Sequence, residues 1–167
     1  MTATQLIEMR RAALVVGAWM VLHGAVLMGQ QAPTPEQIAR RAIEEVWNRG
    51  IYDGEPLMAP HVTLHYRGQS ISLTPESASA IVKRWRAAFP DFHFRIEDVI
   101  VQGDRVAMRV PFTGTHLGAF MGAAPTGKRI EVSETLIVRV ENGLIAEMWE
   151  DYDEYGLRVQ LGLIKPD

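Results

Sequence analysis

Two glutamates, Glu134 and Glu150, carry the strongest chemical signal in the sequence. Each lies in a strand-like run, on a face that is otherwise apolar. Burying a carboxylate with no cation beside it is costly unless the group is hydrogen-bonded, protonated or used in function. A pair of carboxylates in such a place can serve as general acid and general base, because one of them keeps its proton above the normal pH range.

The apolar phase of the two runs predicts how they pair. A three-residue loop over 141–143 would place Val140 opposite Leu144, whereas a two-residue loop, Asn142-Gly143, would place Val140 opposite Ile145. Only the longer loop keeps the apolar faces together when the strands are regular, so we predict a type I turn followed by a left-handed glycine. Glu134 would then lie directly opposite Glu150, about 5 Å away at Cβ. The alternative is that these carboxylates reach solvent at the rim of the sheet, and it stays open above all for Glu134.

Composition sets the class of protein. The chain has 167 residues, 47% of them hydrophobic, and a net charge of -3, which fits one globular domain plus an extension. The slight acidity gives no reason to expect nucleic acid as a partner. Cysteine is absent, which excludes a disulfide framework and a thiol nucleophile. Without cysteine or a helical His-x-x-x-His pattern, we expect no metal site.

The N-terminus reads as a separate segment. Arg10 and Arg11 precede an apolar run over 12–28, and small and polar residues follow it. This order is typical of a secretory signal. We therefore expect residues 1–32 to be a signal peptide or an N-terminal membrane anchor, and residues 33–167 to form the domain. The protein would be exported, periplasmic or extracellular, and would touch a membrane only through residues 12–28 if the segment is kept. A misassigned start is the third alternative.

Local signals predict the order of the elements. Thr34-Pro35 begins a helix that Gly50 ends, and Thr74-Pro75 begins a second helix. A short turn or helix around residues 55–58 separates the first helix from a strand over 62–66. Further strands are predicted over 92–101 and 105–113, before the hairpin that carries the two glutamates, and a short helix over 155–161 closes the chain. Early helices beside a late antiparallel sheet indicate an α+β domain with a hollow between the two layers.

Two segments resemble a known family. The stretches "FTGTHLGAFMGAAPTGKRI" and "WEDYDEYGLRVQLG" are similar to those of the SnoaL-like polyketide cyclases, also called ester cyclases. The resemblance implies the nuclear transport factor 2-like fold, a cone-shaped α+β barrel with a curved antiparallel sheet wrapped around N-terminal helices. It also implies ring closure by intramolecular aldol condensation without metal or cofactor. The family's acid/base carboxylate follows the tryptophan of the last strand, which is Glu150 here, where the family usually has aspartate. His116 matches the histidine of the Gly-rich segment, and His65 matches one on the first strand.

These observations give a set of candidate site residues. Glu150 would remove a proton next to a carbonyl group, and His116 or a protonated Glu134 would stabilise the resulting enolate. Phe120 and Met121 are candidate lid residues. The candidates for contact with a hydrophobic small-molecule substrate are His65, Tyr66, Trp85, Met108, Phe112, Phe120, Met148 and Tyr152.

Other functions stay open on the sequence alone. Isomerisation, dehydration or epoxide hydrolysis would use the same kind of acid/base site. A non-catalytic exported protein that binds a lipid-like or aromatic molecule is the rival outside catalysis. The sheet could also serve mainly in assembly, and we expect a homodimer or a higher homo-oligomer.

Overall fold

The computed structural model describes residues 32–51 and 56–165. The chain divides into two units, Met1–Ala32 and Pro33–Asp167, and the described helices and strands all belong to the second unit. The predicted leader, with its apolar run over 12–28, lies outside the described residues except for Ala32. Among the described residues, no helix is both long enough and apolar enough to cross a membrane.

The first helix begins where the sequence predicts. In α1, Pro35–Arg41, the Thr34 side chain accepts a hydrogen bond from the Gln37 backbone, and the Gln37 side chain accepts one from the Thr34 backbone. This reciprocal pair is a capping box, which satisfies backbone groups that a helix start leaves free. A π-helical segment, Ala42–Asn48, continues α1. Gly50 follows with φ of 67°, a conformation that ends a helix at little cost only for glycine.

The other two helices also follow local signals. Helix α2, Pro75–Ala88, begins at Thr74, whose side chain accepts from the Ser77 backbone. Helix α3, Glu154–Leu161, begins at Asp153, whose carboxylate accepts from the Gly156 backbone. Both predicted helices are confirmed, and α3 begins one residue before the predicted range. The predicted turn or helix around 55–58 is wrong at Met58, which begins a strand; residues 52–55 lie outside the described part.

The described strands form two sheets. Their bounds are β1 Met58–Tyr66, β2 Gln69–Leu73, β3 His93–Phe94, β4 Asp98–Gln102, β5 Arg105–Arg109, β6 Phe112–Thr115, β7 Arg129–Val132, β8 Glu134–Glu141 and β9 Leu144–Tyr152. One sheet has the order β2-β1-β9-β8-β5-β4 and the other the order β3-β6-β7. The pairs are antiparallel except β1–β9, which is parallel. The α+β class with a curved sheet is confirmed, and the parallel pair and strand β2 were not predicted.

Three predicted long strands are each broken into two. The breaks fall between β3 and β4, at Val110-Pro111 between β5 and β6, and at Ser133 between β7 and β8. They lie side by side, since Val110 N–H donates to the carbonyl of Glu134 at 2.9 Å and Arg95 N–H donates to that of Pro111 at 2.9 Å. Pro111 has no N–H to continue a ladder. The strands therefore turn a corner together, which curves the sheet around the helices.

The β8–β9 hairpin differs from the prediction. Asn142 and Gly143 have φ of 51° and 78°, so the loop has two residues and the left-handed geometry of a type I′ turn. The predicted three-residue loop is wrong. A bulge leaves Ala146 unpaired and shifts the register between Val140 and Arg139. This extra residue returns the apolar side chains of β9 to the inner face, which a regular two-residue hairpin would not do.

The bulge also changes the relation between the two acids. Glu150 lies opposite Leu136, and Glu134 lies opposite Tyr152. The prediction that Glu134 and Glu150 are directly opposed is therefore wrong. They are diagonal neighbours on one face, and such positions lie about 7 Å apart.

The core lies between the helices and the concave face of the larger sheet. Helix α1 packs on β5, β8 and β9, whereas α2 packs on β1 and β2. An aromatic cluster fills the space between them, and its members are Trp47, Trp85, Phe89, Phe92, Phe94, Phe112, Phe120 and Tyr152.

Candidate active site

Glu150 projects from the middle of the larger sheet into the hollow of the domain. Its strand, β9, is flanked by β1, where Tyr66 pairs with Glu150, and by β8, where Leu136 does. Residues paired across strands share a face. Because Leu136 is buried on the inner face, Glu150 faces inward too, with strands on both sides that fix its backbone.

Two hollows meet at Glu150. The first, which we call the inner cavity, has a volume of about 170 Å³ and apolar walls that include Val46, Leu57, Val82, Ile145 and Met148. The second, which we call the lid pocket, has about 570 Å³ and is lined by residues that include Tyr66, Trp85, Phe120 and Tyr152. Leu64, Leu73, Ile81 and Glu150 line both. The lid pocket falls within the range of small-molecule sites, about 300–1,000 Å³.

The environment of Glu150 favours its protonated form. Burial, with a further contribution from the negative charge of Asp151, raises the pKa of Glu150 to about 7. In the described part of the chain, the Glu150 carboxyl group accepts no hydrogen bond and pairs with no cation. Such a carboxyl group exchanges its proton near neutral pH, as a general acid or base requires.

Glu134 is the more deeply buried of the two acids. Its exposed fraction is 6%, and burial, followed by the negative charge of Glu150, raises its pKa well above the ordinary range. The negative charge of an ionised Glu150 favours the protonated form of Glu134. Glu134 lines neither hollow around Glu150. It lines an outer groove with Arg95, Arg109 and Asp153, so the two acids lie on the same sheet face but open to different spaces.

A hydrogen-bonded chain crosses one side of the lid pocket. The Tyr66 hydroxyl lies 3.0 Å from the Glu154 carboxylate and 2.9 Å from the Tyr152 hydroxyl. A carboxylate only accepts, so Tyr66 donates to Glu154 and accepts from Tyr152. Burial, and then donation to Tyr66, raises the pKa of Tyr152. Tyr152 thus keeps its proton, and its hydroxyl could donate that proton to a carbonyl oxygen in the lid pocket only in place of its bond to Tyr66.

His116 lies one layer behind the lid pocket. It is fully buried, stacks on Phe89 with ring centroids 5.3 Å apart, and lies edge-on to Phe120 at 6.4 Å. The backbone N–H of Thr126 donates to its Nδ1 at 3.3 Å, which assigns the proton of the neutral ring to Nε2. Within the described residues this Nε2 has no partner. His116 contacts the lid through Phe120 but lines neither hollow around Glu150.

The glycine after His116 holds the lid segment against α2. A Cβ at Gly118 would lie 2.2 Å from the carbonyl oxygen of Ala87, closer than real Cβ atoms come to backbone. The N–H groups of Leu117 and Gly118 both donate to the carbonyl of Ala88, at 2.9 and 3.0 Å. The His-x-Gly spacing therefore ties the segment that carries Phe120 and Met121 to the end of α2.

Of the eight residues predicted to contact a substrate, five line one of the two hollows, two lie in the core, and His65 lies on the other face of the sheet. Tyr66, Trp85, Phe120 and Tyr152 line the lid pocket and Met148 lines the inner cavity. Met108 and Phe112 are buried in the core, each with 1% exposed, and line neither hollow.

His65 lies on the opposite face of the sheet. Its Nε2 is 2.7 Å from Glu147, its Nδ1 is 3.0 Å from the Ser70 hydroxyl, and its ring stacks on Trp149 at 4.9 Å. The structure therefore does not bring it to Glu150, because odd and even positions of a strand face opposite ways. No group of three or more His, Asp or Glu side chains in the described ranges is arranged to hold a metal ion.

Sequence reasoning missed the charged rim of the lid pocket. Arg67, Arg84, Glu154 and Arg158 line it. The spacing of Glu154 and Arg158, one helical turn apart, was the available signal for their ion pair. Arg67 and Arg84 lie on other elements, and nothing in the sequence shows that they meet there.

The fold and the site together define a small α+β protein with a buried carboxyl group between two hollows. The profile of the SnoaL-like polyketide cyclases matches residues 37–161, and the chain belongs to that family, within the nuclear transport factor 2-like superfamily. Among curated proteins, none matches the chain.

Solved structures agree with this assignment. IdmH from Streptomyces antibioticus, a proposed polyketide cyclase, is 29% identical, with 78% of this chain and 99% of that one covered and a TM-score of 0.69. A proposed polyketide cyclase from Acidithiobacillus ferrooxidans is 27% identical, with coverages of 79% and 96% and a TM-score of 0.69. AclR from Streptomyces galilaeus, a proposed hydroxylase, is 25% identical, with coverages of 80% and 83% and a TM-score of 0.70.

Proposed function

We propose that the protein is a cofactor-independent acid/base enzyme that acts on a hydrophobic carbonyl compound, and that its reaction is an intramolecular aldol ring closure. One observation carries the proposal: Glu150, with a pKa raised by burial to about 7, lies in the wall shared by the apolar inner cavity and the lid pocket. A carboxyl group in that state is present in both protonation forms at neutral pH. The likeness to polyketide cyclases supports the reaction class.

The proton movements balance with one residue. The ionised Glu150 removes a proton from the carbon next to a ketone, which gives an enolate and a protonated Glu150. The enolate carbon forms a bond to a second carbonyl carbon of the same molecule, and an alkoxide results. Glu150 returns its proton to that alkoxide, so the ring product is an isomer of the substrate and the enzyme is unchanged.

The other polar groups receive indirect roles. The Tyr152 hydroxyl lines the same pocket as Glu150 and is the candidate donor to the enolate oxygen, a bond that would replace the one it donates to Tyr66. Glu134 lines neither hollow, so it would influence Glu150 from a distance rather than contact a substrate. His116 would hold Phe120 and reach a substrate only if that ring moves.

The glutamate at position 150 bears on the substrate. Glutamate has one methylene more than the aspartate that resembling proteins usually carry, and its carboxylate reaches further into the hollows. Catalysis is sensitive to shifts of about 1 Å. We therefore expect Glu150→Asp to lose most of its activity on this protein's own substrate.

A proton-exchange assay tests the proposal without knowledge of the natural substrate. A panel of aryl 1,5-diketones is incubated in D₂O, and NMR follows both exchange of the protons next to the ketone and ring closure. We expect both reactions with the wild type, and a loss of at least about 100-fold in Glu150→Gln. Glu147→Gln, which removes a carboxylate from the outer face of the same strand, is the matched control and should keep both.

The outcomes separate the rival functions. Exchange without ring closure would support an isomerase or a dehydratase instead. Binding of the diketones with no exchange in any of them would support a non-catalytic binding protein. Full activity in a folded Glu150→Gln protein would reject the role of Glu150.

A further inference from the structure

The rim of the lid pocket carries more positive than negative charge. Arg67 follows β1, Arg84 lies on α2 and Arg158 lies on α3, and all three line the pocket. The acid among them is Glu154, which pairs with Arg67 at 3.0 Å and with Arg158 at 2.6 Å. Although burial opposes it, the hydrogen bonds from Arg158 and Tyr66 and the charge of Arg67 lower the pKa of Glu154, so it is ionised at neutral pH.

Of the three arginines at the rim, Arg84 is the one that does not pair with Glu154. Two arginines share the one carboxylate of Glu154, and in the described part of the chain Arg84 makes no ion pair or hydrogen bond. It is exposed at the mouth of the pocket. A guanidinium group in this position can form two parallel hydrogen bonds with a carboxylate.

The wall next to Arg84 is aromatic. Trp85, the following residue of α2, and Phe120 of the lid segment lie with ring centroids 4.5 Å apart, and both line the pocket. Aromatic side chains favour flat apolar ligands by stacking and edge contacts. Among the described residues, the pocket thus combines an aromatic wall with an unpaired cation at its mouth and Glu150 on its inner side.

We propose that the lid pocket selects a flat apolar molecule that carries a carboxylate, which binds Arg84, while the ring system packs on Trp85 and Phe120. The carbonyl group that reacts would point away from the carboxylate, toward Glu150, because two acids would not share the inner end without a cation. This substrate class rests on the proposed function for its reacting end, whereas the binding of the anionic end does not depend on turnover.

Two probes with one ring system test the anionic end. 2-Naphthoate and 2-naphthamide have nearly the same shape, and only the first is charged. Calorimetric titration at low ionic strength, where charge–charge contacts are least screened, compares their affinities for the wild type, Arg84→Gln and Lys83→Gln. Lys83→Gln removes one positive charge from the adjacent position of α2, which does not line the pocket.

We expect a loss of affinity for naphthoate only, and in Arg84→Gln only. The wild type should bind naphthoate more tightly than naphthamide, and Arg84→Gln should weaken naphthoate about tenfold, as for one charged hydrogen bond. In Arg84→Gln the affinity for naphthamide should stay within about twofold, which also shows that the pocket is intact. Lys83→Gln should bind both probes like the wild type.

Three outcomes would overturn the proposal: equal affinity of the wild type for the two probes, equal losses of both probes in Arg84→Gln, or no binding of either probe. A failure of the proposed reaction looks different. In that case Glu150→Gln and the wild type would be equally active or equally inactive in the exchange assay, whatever the probes do.

Discussion

Glu147 and Glu150 lie on the same strand, three positions apart, and their surroundings have opposite effects on them. Glu147 faces the outer side of the sheet, where His65 lies 2.7 Å and Arg139 Nε 2.9 Å from its carboxylate. These hydrogen bonds, His65 first, lower the pKa of Glu147. Glu150 faces the hollow, where burial raises its pKa to about 7.

The difference shows how the face of the sheet sets the pKa of a carboxyl group in this fold. Residues an odd number of positions apart on a strand face opposite ways. The two glutamates therefore share a residue type and a strand, and only their surroundings differ. The outer face supplies hydrogen-bonding partners for the acid, His65 and the Arg139 guanidinium. The inner face supplies apolar side chains, so the desolvation cost of Glu150 is not offset locally, and such uncompensated groups concentrate at active sites.

The largest expected effect of this contrast is on the pH dependence of the reaction. If the ionised Glu150 is the base, kcat/KM should fall about tenfold for each pH unit below 7, because the ionised fraction falls in that way. At pH 5 it should be about 100-fold below its plateau. The measurement is the pH–rate profile of proton exchange, in the wild type and in Glu147→Gln.

Glu147→Gln should keep the same acid limb, since its carboxylate lies on the other face. A profile that is flat between pH 5 and 8 would remove Glu150 as the base. A limb that disappears in Glu147→Gln would mean that the two faces are not independent.

A smaller effect is expected on stability. The pKa of Glu150 rises on folding from its ordinary value of 4.5 to about 7, so the folded state binds the proton more tightly. The resulting stability is fully present below about pH 4.5 and is lost as the pH rises through 7. Glu150→Gln cannot ionise, and should be more stable than the wild type at pH 8 by about 3 kcal/mol and nearly equal to it at pH 4.

Glu134→Gln should follow the same direction, because burial raises the pKa of Glu134 as well. Urea unfolding at both pH values measures these differences. A Glu150→Gln protein that is less stable than the wild type at pH 8 would show that the ionised carboxylate has stabilising partners after all. If Glu150→Gln gains stability and loses activity because it lacks this charge, it follows the usual trade-off between stability and activity.

The sequence predicted those features that local chemistry decides. Thr34 and Thr74 begin helices because their side chains cap nearby backbone groups, and such signals lie within three residues. The inward position of Glu150 follows from the alternation along its strand. Features that depend on how strands pair were not predictable in this way, and the unpaired Ala146 is the clearest example.

The shorter loop and the bulge each shift the register by one residue, and together they change the partner of Glu134 from the predicted Glu150 to Tyr152. No residue pattern distinguishes a bulge at Ala146 from a longer loop at 141–143, since both keep the apolar faces together. The bends at Val110-Pro111 and Ser133 likewise arise where three strands turn side by side. The same limit applies to the lid pocket, where Arg67, Arg84 and Arg158 come from three separate elements.

The smallest expected effect concerns Glu147, the glutamate on the outer face of the sheet. Glu147→Gln weakens its bonds to His65 and Arg139, and because these groups are partly exposed the loss of stability should be about 1 kcal/mol or less. The pKa of Glu147 is lowered on folding, so this contribution is present above about pH 4.5 and is lost as the pH falls through the lower folded value. Urea unfolding should therefore show a small destabilisation at pH 7 that fades at pH 3, opposite in sign and in pH dependence to Glu150→Gln. If the two variants instead changed stability in the same direction at pH 8, the face of the sheet would not decide the role of its carboxylates.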